Sequence, residues 1–227
     1  MTSTPRRRVA VAGGHGKIAR LLQRRLVARG EAALALVRDP DHVPVLQALG
    51  AEAAVADLEH STVEELAGHL RGADAVVFAA GAGPGSGPAR KQTVDRDGAI
   101  LLADAAETAG VGRYVLVSAR DPDRRAQDEG LDPVFAAYLR AKAEADREVA
   151  ARSALEVTIV RPGRLSDEPG TGRVRVAGVT GPGGIPREDV AEVLLAVLDE
   201  PATAGHTFEV VAGDTPVTDA VAGLVGR

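Results

Sequence analysis

The apolar run Val9-Ala10-Val11-Ala12 passes directly into Gly13-Gly14-His15-Gly16-Lys17-Ile18-Ala19, and this junction constrains the fold more than any other part of the chain. The run reads as a buried strand, and the spacing of Ile18, Leu21, Leu22 and Leu26 reads as a helix behind it. Gly13 suits the tight turn, Gly16 lets backbone approach a ligand closely, and Ala19 is small enough for the helix to lie against the sheet. The free N–H groups that open the helix then favour an anion such as a diphosphate. The spacing is GxxGxxA rather than GxGxxG, so the flanking strand and helix carry as much of the signal as the glycines.

Composition narrows the architecture. The chain has 227 residues, enough for a full core, yet only two tyrosines, three phenylalanines and no tryptophan, so that core is built from Ala, Val and Leu. Interleaved Ala and Val with frequent Gly suits helices packed closely on a parallel sheet. A net charge of −5 gives no electrostatic reason to expect a nucleic-acid partner. The basic run Arg6-Arg7-Arg8 reads as a solvated tail leading into the first strand, and the apolar stretch after it is too short for a signal peptide or membrane span. Cysteine is absent and the five histidines are scattered without ligand spacing, so neither disulfides nor a metal site is expected. These features make a cytoplasmic protein with a small-molecule substrate the expectation, and leave oligomeric state open. Arginine greatly outnumbers lysine, which occurs only at 17, 91 and 142. A retained lysine in such a chain hints that an ammonium is wanted at that place.

Strands are expected over 8–12, 32–37, 53–56, 75–78, 114–117 and 156–161. Helices are expected over 16–29, 40–49, 95–109 and 134–152, with Ser61 and Glu64 as the capping box of one ending near Leu70. Gly-rich 79–88 and charged 120–133 read as loops. This alternation implies a doubly wound parallel sheet in three α/β/α layers, Rossmann-type, as a single domain over 1–227. The tail, with a strand at 174–176, a helix at 188–198 and a strand at 208–211, reads as a small lid and edge within 163–227.

In such a sheet a ligand lies outside the carboxyl ends of the strands. There the sequence places Gly13 to Ile18, Arg38, Asp57 with Leu58, Ala79-Ala80-Gly81, Ser118, and Arg161-Pro162-Gly163. An NAD site usually sets an acid at the end of the second strand; here Arg38 occupies that slot, suited to a 2′-phosphate, which makes NADP the expected cofactor over NAD. The alternative is a solvated arginine. Asp57 reads either as an adenine contact or as an acid at the start of a helix. Tyr138 and Lys142 stand four apart in a helix and so share one face. An ammonium there stabilises a phenolate, lowers the tyrosine pKa and holds a ribose.

Together these residues resemble the short-chain dehydrogenase/reductase superfamily, and more narrowly its compact, atypical members of the NmrA-like and NAD(P)-dependent epimerase-like groups. The resemblance runs from Gly13-x-x-Gly16-x-x-Ala19 through Asp57-Leu58, Ala79-Ala80-Gly81, Ser118, Tyr138-x-x-x-Lys142 and Val160-Arg161-Pro162-Gly163 to Arg187-Glu188-Asp189-Val190-Ala191. It implies that Tyr138 is the general acid or base, that Lys142 orients the ribose and tunes the tyrosine, and that Ser118 polarises a substrate carbonyl. The chain departs from the pattern in three ways. Ser118 follows its strand directly, Asp95 and Asp97 stand in the region of the family's helix asparagine, and no sizeable substrate domain follows. The leading expectation is NADP-dependent hydride transfer to or from a small carbonyl or quinone-like substrate. A non-catalytic NADP(H)-sensing protein and an epimerase/dehydratase-like enzyme are the alternatives.

Overall fold

The structure, a computed structural model, describes residues 6–83 and 85–226. Strand β1 (Arg8–Ala12) runs into α1 (Lys17–Ala28), followed by β2 (Ala32–Val37), α2 (Val43–Ala48), β3 (Glu52–Val55), α3 (Val63–Leu70) and β4 (Ala75–Phe78). A helical segment then starts at α4 (Pro88–Arg90), passes through a π-helical stretch at Lys91–Asp97 and continues as α5 (Gly98–Ala109). The second half contains β5 (Arg113–Val117), α6 (Pro122–Arg125), α7 (Pro133–Ala150), β6 (Glu156–Pro162), β7 (Arg164–Ser166), β8 (Arg173–Ala177) and β9 (Gly184–Pro186). It closes with α8 (Arg187–Asp199), β10 (Thr207–Ala212), β11 (Thr215–Pro216) and α9 (Val217–Val225).

The central sheet has nine strands in the order β11-β8-β10-β6-β5-β4-β1-β2-β3. From β10 to β3 every neighbouring pair is parallel; β8 and β11 add an antiparallel edge. This is the expected Rossmann-type α/β fold. The alternation within β1 shows why two helical layers are needed. Val9 and Val11 face α1 and α8, Ala10 and Ala12 face the side of α3 and α5, and all four are fully buried. Leu22 and Leu26 of α1 are also fully buried, each worth about 1.5–3 kcal/mol relative to exposure. No helix among the described residues is long and apolar enough to cross a membrane.

Several expectations need correction. The capping box is one residue later than expected: Thr62 accepts from the Glu65 backbone, and Glu65 accepts from the Thr62 backbone. The long helix opens at Pro88 rather than near Asp95, because Gly87 and Pro88 make a helix start in which the missing N–H costs nothing. Its π-helical turn was not anticipated. Pro84, within the expected 79–88 loop, lies outside the described residues. The basic run leads into β1 as expected, with Arg6 exposed, but it is only partly solvated: Arg7 binds Glu31 and Asp199 at 2.7 and 2.9 Å, and Arg8 reaches Glu52 at 3.1 Å. The loop at 120–133 contains α6, and α9, which buries Val217 and Val221, gave no clear signal in the sequence. The tail forms an edge of the same sheet as expected, with β8 and β11 outermost and the strand at 207–212 between β6 and β8.

Candidate functional site

The carboxyl ends of β1, β2 and β3 and the segment after β4 enclose a cleft of about 300 Å³. Gly13 sits at φ +73, and a Cβ there would lie 2.5 Å from the Cα of Ala80, so the turn needs glycine for both conformation and room. Gly16 N–H donates to Gly13 O at 2.8 Å and starts α1, whose first turn has neither a side-chain cap nor an acid. The N-terminus of α1 is therefore free to receive an anion.

Of the expected cofactor residues, Gly13, His15, Gly16, Arg38, Asp57, Leu58, Ala79, Ala80 and Gly81 line this cleft. Ile18 lines the adjoining one, with Lys142 and Pro162. Three residues are placed elsewhere. Gly14 packs on β2, where a Cβ would meet that of Ala35 at 2.6 Å, and its own N–H donates to Leu36 O. Lys17 leans outward to Asp167 at 2.5 Å, both side chains more than half exposed. Arg161 turns its guanidinium to Asp146 at 2.8 Å and lines neither cleft, since strand alternation sends it towards α7. Gly163 borders the outer end of the site.

The rim around Arg38 holds residues the sequence reading passed over. Arg38 lies 3.6 Å from Glu59, but Glu59 is held more closely by Arg90, at 2.5 Å, and by the Thr93 hydroxyl at 2.6 Å. Hydrogen bonding from Arg90 is the main reason that the Glu59 carboxyl falls to a pKa of about 2. His15 and His42 stack with centroids 3.6 Å apart, and burial followed by repulsion from His42 lowers the His15 pKa. Asp57 spends one oxygen on Glu59 N–H and the other on His60, which closes a turn after β3; the helix that follows is capped only at Thr62.

Ala79, Ala80 and Gly81 form a common wall with a second cleft, of about 620 Å³, which contains Tyr138, Lys142 and Ser118. The three residues expected to do chemistry thus come together at the far end of the same crevice. Their electrostatics differ from expectation. Lys142 is almost fully buried, donates to Val117 O at 3.0 Å and stands 3.6 Å from the buried Asp95. The Tyr138 phenol is raised above its ordinary value, first by burial and then by Asp95 and Asp146, with Arg125 partly offsetting them. The expected lowering by Lys142 is therefore corrected: Asp95 neutralises the ammonium and itself opposes a phenolate. Ser118 is 3% exposed and its hydroxyl has no hydrogen-bond partner among the described residues, while the Asp146 carboxyl is raised by burial, with Ser118 and Arg161 partly offsetting.

Asp95 and Lys91, noted in the sequence without a role in the site, also belong to this end. Asp95 accepts from Ala82 N–H at 3.1 Å, and Lys91 donates to Gly83 O at 2.8 Å, with its ammonium 5.7 Å from the Tyr138 ring centroid. The π-helical turn buries both beside the glycine loop, a common use of such turns at functional sites. The scarcity of lysine pointed to Lys91 as much as to Lys142.

Comparison with known proteins shows the family and supports the fold. The family model for NAD(P)H-binding proteins matches residues 13–201. A Bacillus subtilis relative, the uncharacterized sugar epimerase YhfK, is 42% identical over 188 residues, covering 82% of this chain and 85% of that protein. A Bacillus halodurans structure proposed as an NAD-dependent epimerase/dehydratase is 39% identical with a TM-score of 0.86, covering 96% of this chain and 99% of the other. The oxidoreductase YlbE of Lactococcus lactis is 26% identical with a TM-score of 0.84, with 97% of each chain covered.

Proposed function

Because the chain belongs to the NAD(P)H-binding family, among the atypical short-chain dehydrogenases/reductases, we propose that it uses NADPH to reduce a small carbonyl or quinone-like substrate. The observation that carries this reading is the placement of Tyr138, Lys142 and Ser118 in a cleft that shares the Ala79–Gly81 wall with the dinucleotide crevice. The diphosphate would lie at the turn from Gly13 to Gly16, and the 2′-phosphate against Arg38, whose nearest acid is already engaged by Arg90. When bound, the cofactor supplies a hydride to the substrate carbon. Tyr138 then gives its proton to the oxygen that gains negative charge; the raised phenol is a weaker acid, but the alkoxide formed by hydride addition is more basic still. Lys142, fixed by Val117 O and Asp95, positions the ribose side of the cleft.

A specific observation favours a second reading, that of a non-catalytic sensor of the NADP(H) ratio: the Lys142 ammonium is spent on Val117 O and Asp95, and the Tyr138 phenol beside it is raised rather than lowered. The names of the B. subtilis and B. halodurans relatives suggest a third, epimerase-like, in which hydride returns to the substrate and no NADPH is consumed.

Following NADPH absorbance across a panel of aldehydes and quinones separates the readings. Reduction is expected, and Tyr138→Phe is expected to lower kcat by about 10²–10⁴-fold with unchanged NADPH affinity. Absence of any turnover, or a Tyr138→Phe enzyme as fast as the parent, would defeat the reductase reading. In calorimetric titrations Arg38→Asp is expected to weaken NADPH binding at least about tenfold and to spare NADH; equal loss for both cofactors would refute the NADP preference.

A further inference from the structure

Beyond the tyrosine, the site opens into an outer pocket of about 650 Å³ between β5, α6, β7 and the Pro182–Gly183 turn. Arg120, Arg125, Arg164 and Arg187 border this pocket, Ser118 and Tyr138 form its inner end, and no Asp or Glu is among its lining residues. In a chain of net charge −5 this is a local reversal of sign. Among the described residues Arg187 has an acidic partner, Asp167 at 2.7 Å, whereas Arg120, Arg125 and Arg164 have none within ion-pair distance.

The arginines sit on fixed backbone. Arg120 N–H continues the β5–β6 pairing to Pro162 O at 3.1 Å, and the next residue, Asp121, is the only non-glycine at positive φ among the described residues, so the chain turns sharply after Arg120. Arg164 N–H donates to Gly183 O at 3.0 Å, in the small parallel sheet of β7 and β9. Arg125 lies over the Phe135 ring at 5.4 Å and donates to Arg120 O at 3.3 Å, with its charge felt at the Tyr138 phenol. Guanidinium groups of this kind suit carboxylate and phosphate oxygens, which accept paired hydrogen bonds.

We propose that this outer pocket binds an anionic group of the substrate, a carboxylate or a phosphate monoester, and so places the reducible part of the molecule against Tyr138. The proposal rests on the reductase reading for the identity of the site, while its binding test does not need turnover. Benzoate and phenyl phosphate are titrated calorimetrically into NADP⁺-saturated protein, so that the Gly13–Arg38 crevice is already filled, with benzyl alcohol as the neutral control. At least one anion is expected to bind tenfold or more tightly than benzyl alcohol, and the combination Arg120→Gln with Arg164→Gln is expected to remove that advantage while NADP⁺ affinity stays the same. Preference for benzoate assigns a carboxylate, and preference for phenyl phosphate a phosphate ester. Binding of neither anion above the control, or binding indifferent to the two substitutions, overturns the proposal.

A kinetic arm compares 4-carboxybenzaldehyde with its methyl ester, which differ in charge and not in the aldehyde. The acid is expected to show at least tenfold higher kcat/KM, lost through KM in the double variant. Arginine-dependent anion binding with no turnover of these aldehydes or of the quinone panel would retain the pocket assignment and refute the reductase reading. Equal reduction of acid and ester in both proteins would do the reverse.

Discussion

Tyr114 and Tyr138 have the same side chain and opposite uses. Tyr114 is fully buried in β5 and donates to Ala99 O at 2.9 Å, while Tyr138 borders two clefts beside Lys142. The i, i+4 spacing with a rare lysine made the second pair readable before any fold was known. The partners that set its charge were not readable, because Asp95 and Asp146 reach it through tertiary packing. Arg38 stood out for the same reason, as a cation at a strand end, whereas Arg90 and Glu59 come from two other elements. Arg161 misled because the motif carries no information about which face of β6 a side chain occupies. Glu59 supports a prediction at this scale. Its folded pKa of about 2 lies below its ordinary 4.5, so its contribution to stability is fully present above about 4.5 and is lost as pH falls towards 2. Glu59→Gln is expected to lower urea-unfolding stability at pH 7 and to flatten the loss between pH 4.5 and 3; an unchanged acid limb would show that the Arg90 pair adds nothing.

The turn from β1 into α1 is the element where sequence and structure agree most closely, since Gly13 takes the tight turn and Gly16 opens the helix as expected. Gly13→Ala adds a Cβ at positive φ and against Ala80, and is expected to destabilise the protein by at least about 2 kcal/mol and to abolish dinucleotide binding. Thermal unfolding and a cofactor titration check this, and a variant that binds NADPH as before would mean the turn is not the diphosphate seat. The neighbouring helix shows where element reading failed. Its π-helical turn at Lys91–Asp97 has no periodic signature, because its apolar face is interrupted by the very polar residues it buries, Lys91 and Asp95. The short strands β7 and β9 pair only with each other, outside the central sheet, so neither has a run long enough to register as a pattern.

Over the whole molecule, the alternation of apolar strands and amphipathic helices was sufficient to imply a parallel sheet between two helical layers. It also implied the strands and helix of the tail and their place at one side of the same sheet, but not the order of the strands there. β10 inserts beside β6 because Phe208 and Val210 bury against α8, a long-range contact with no local mark. We take the segment after residue 163 to fold as one unit with the rest: Phe208→Ala is expected to cost about 3–5 kcal/mol and to lower a single calorimetric transition without splitting it. A separate low-temperature transition would mark the tail as independent. The sheet also explains how distant residues form one site, since the ends of β1 to β5 open on the same side and lead from Arg38 past Gly13 and Ala80 to Tyr138. A crystal structure of the protein with NADP⁺ tests that path most directly. The account predicts the 2′-phosphate on Arg38, the diphosphate at Gly13–Gly16 and the nicotinamide ring within about 4 Å of the Tyr138 hydroxyl, near-attack range for a shared substrate. A nicotinamide directed away from Tyr138, or a 2′-phosphate with no contact to Arg38, would contradict it.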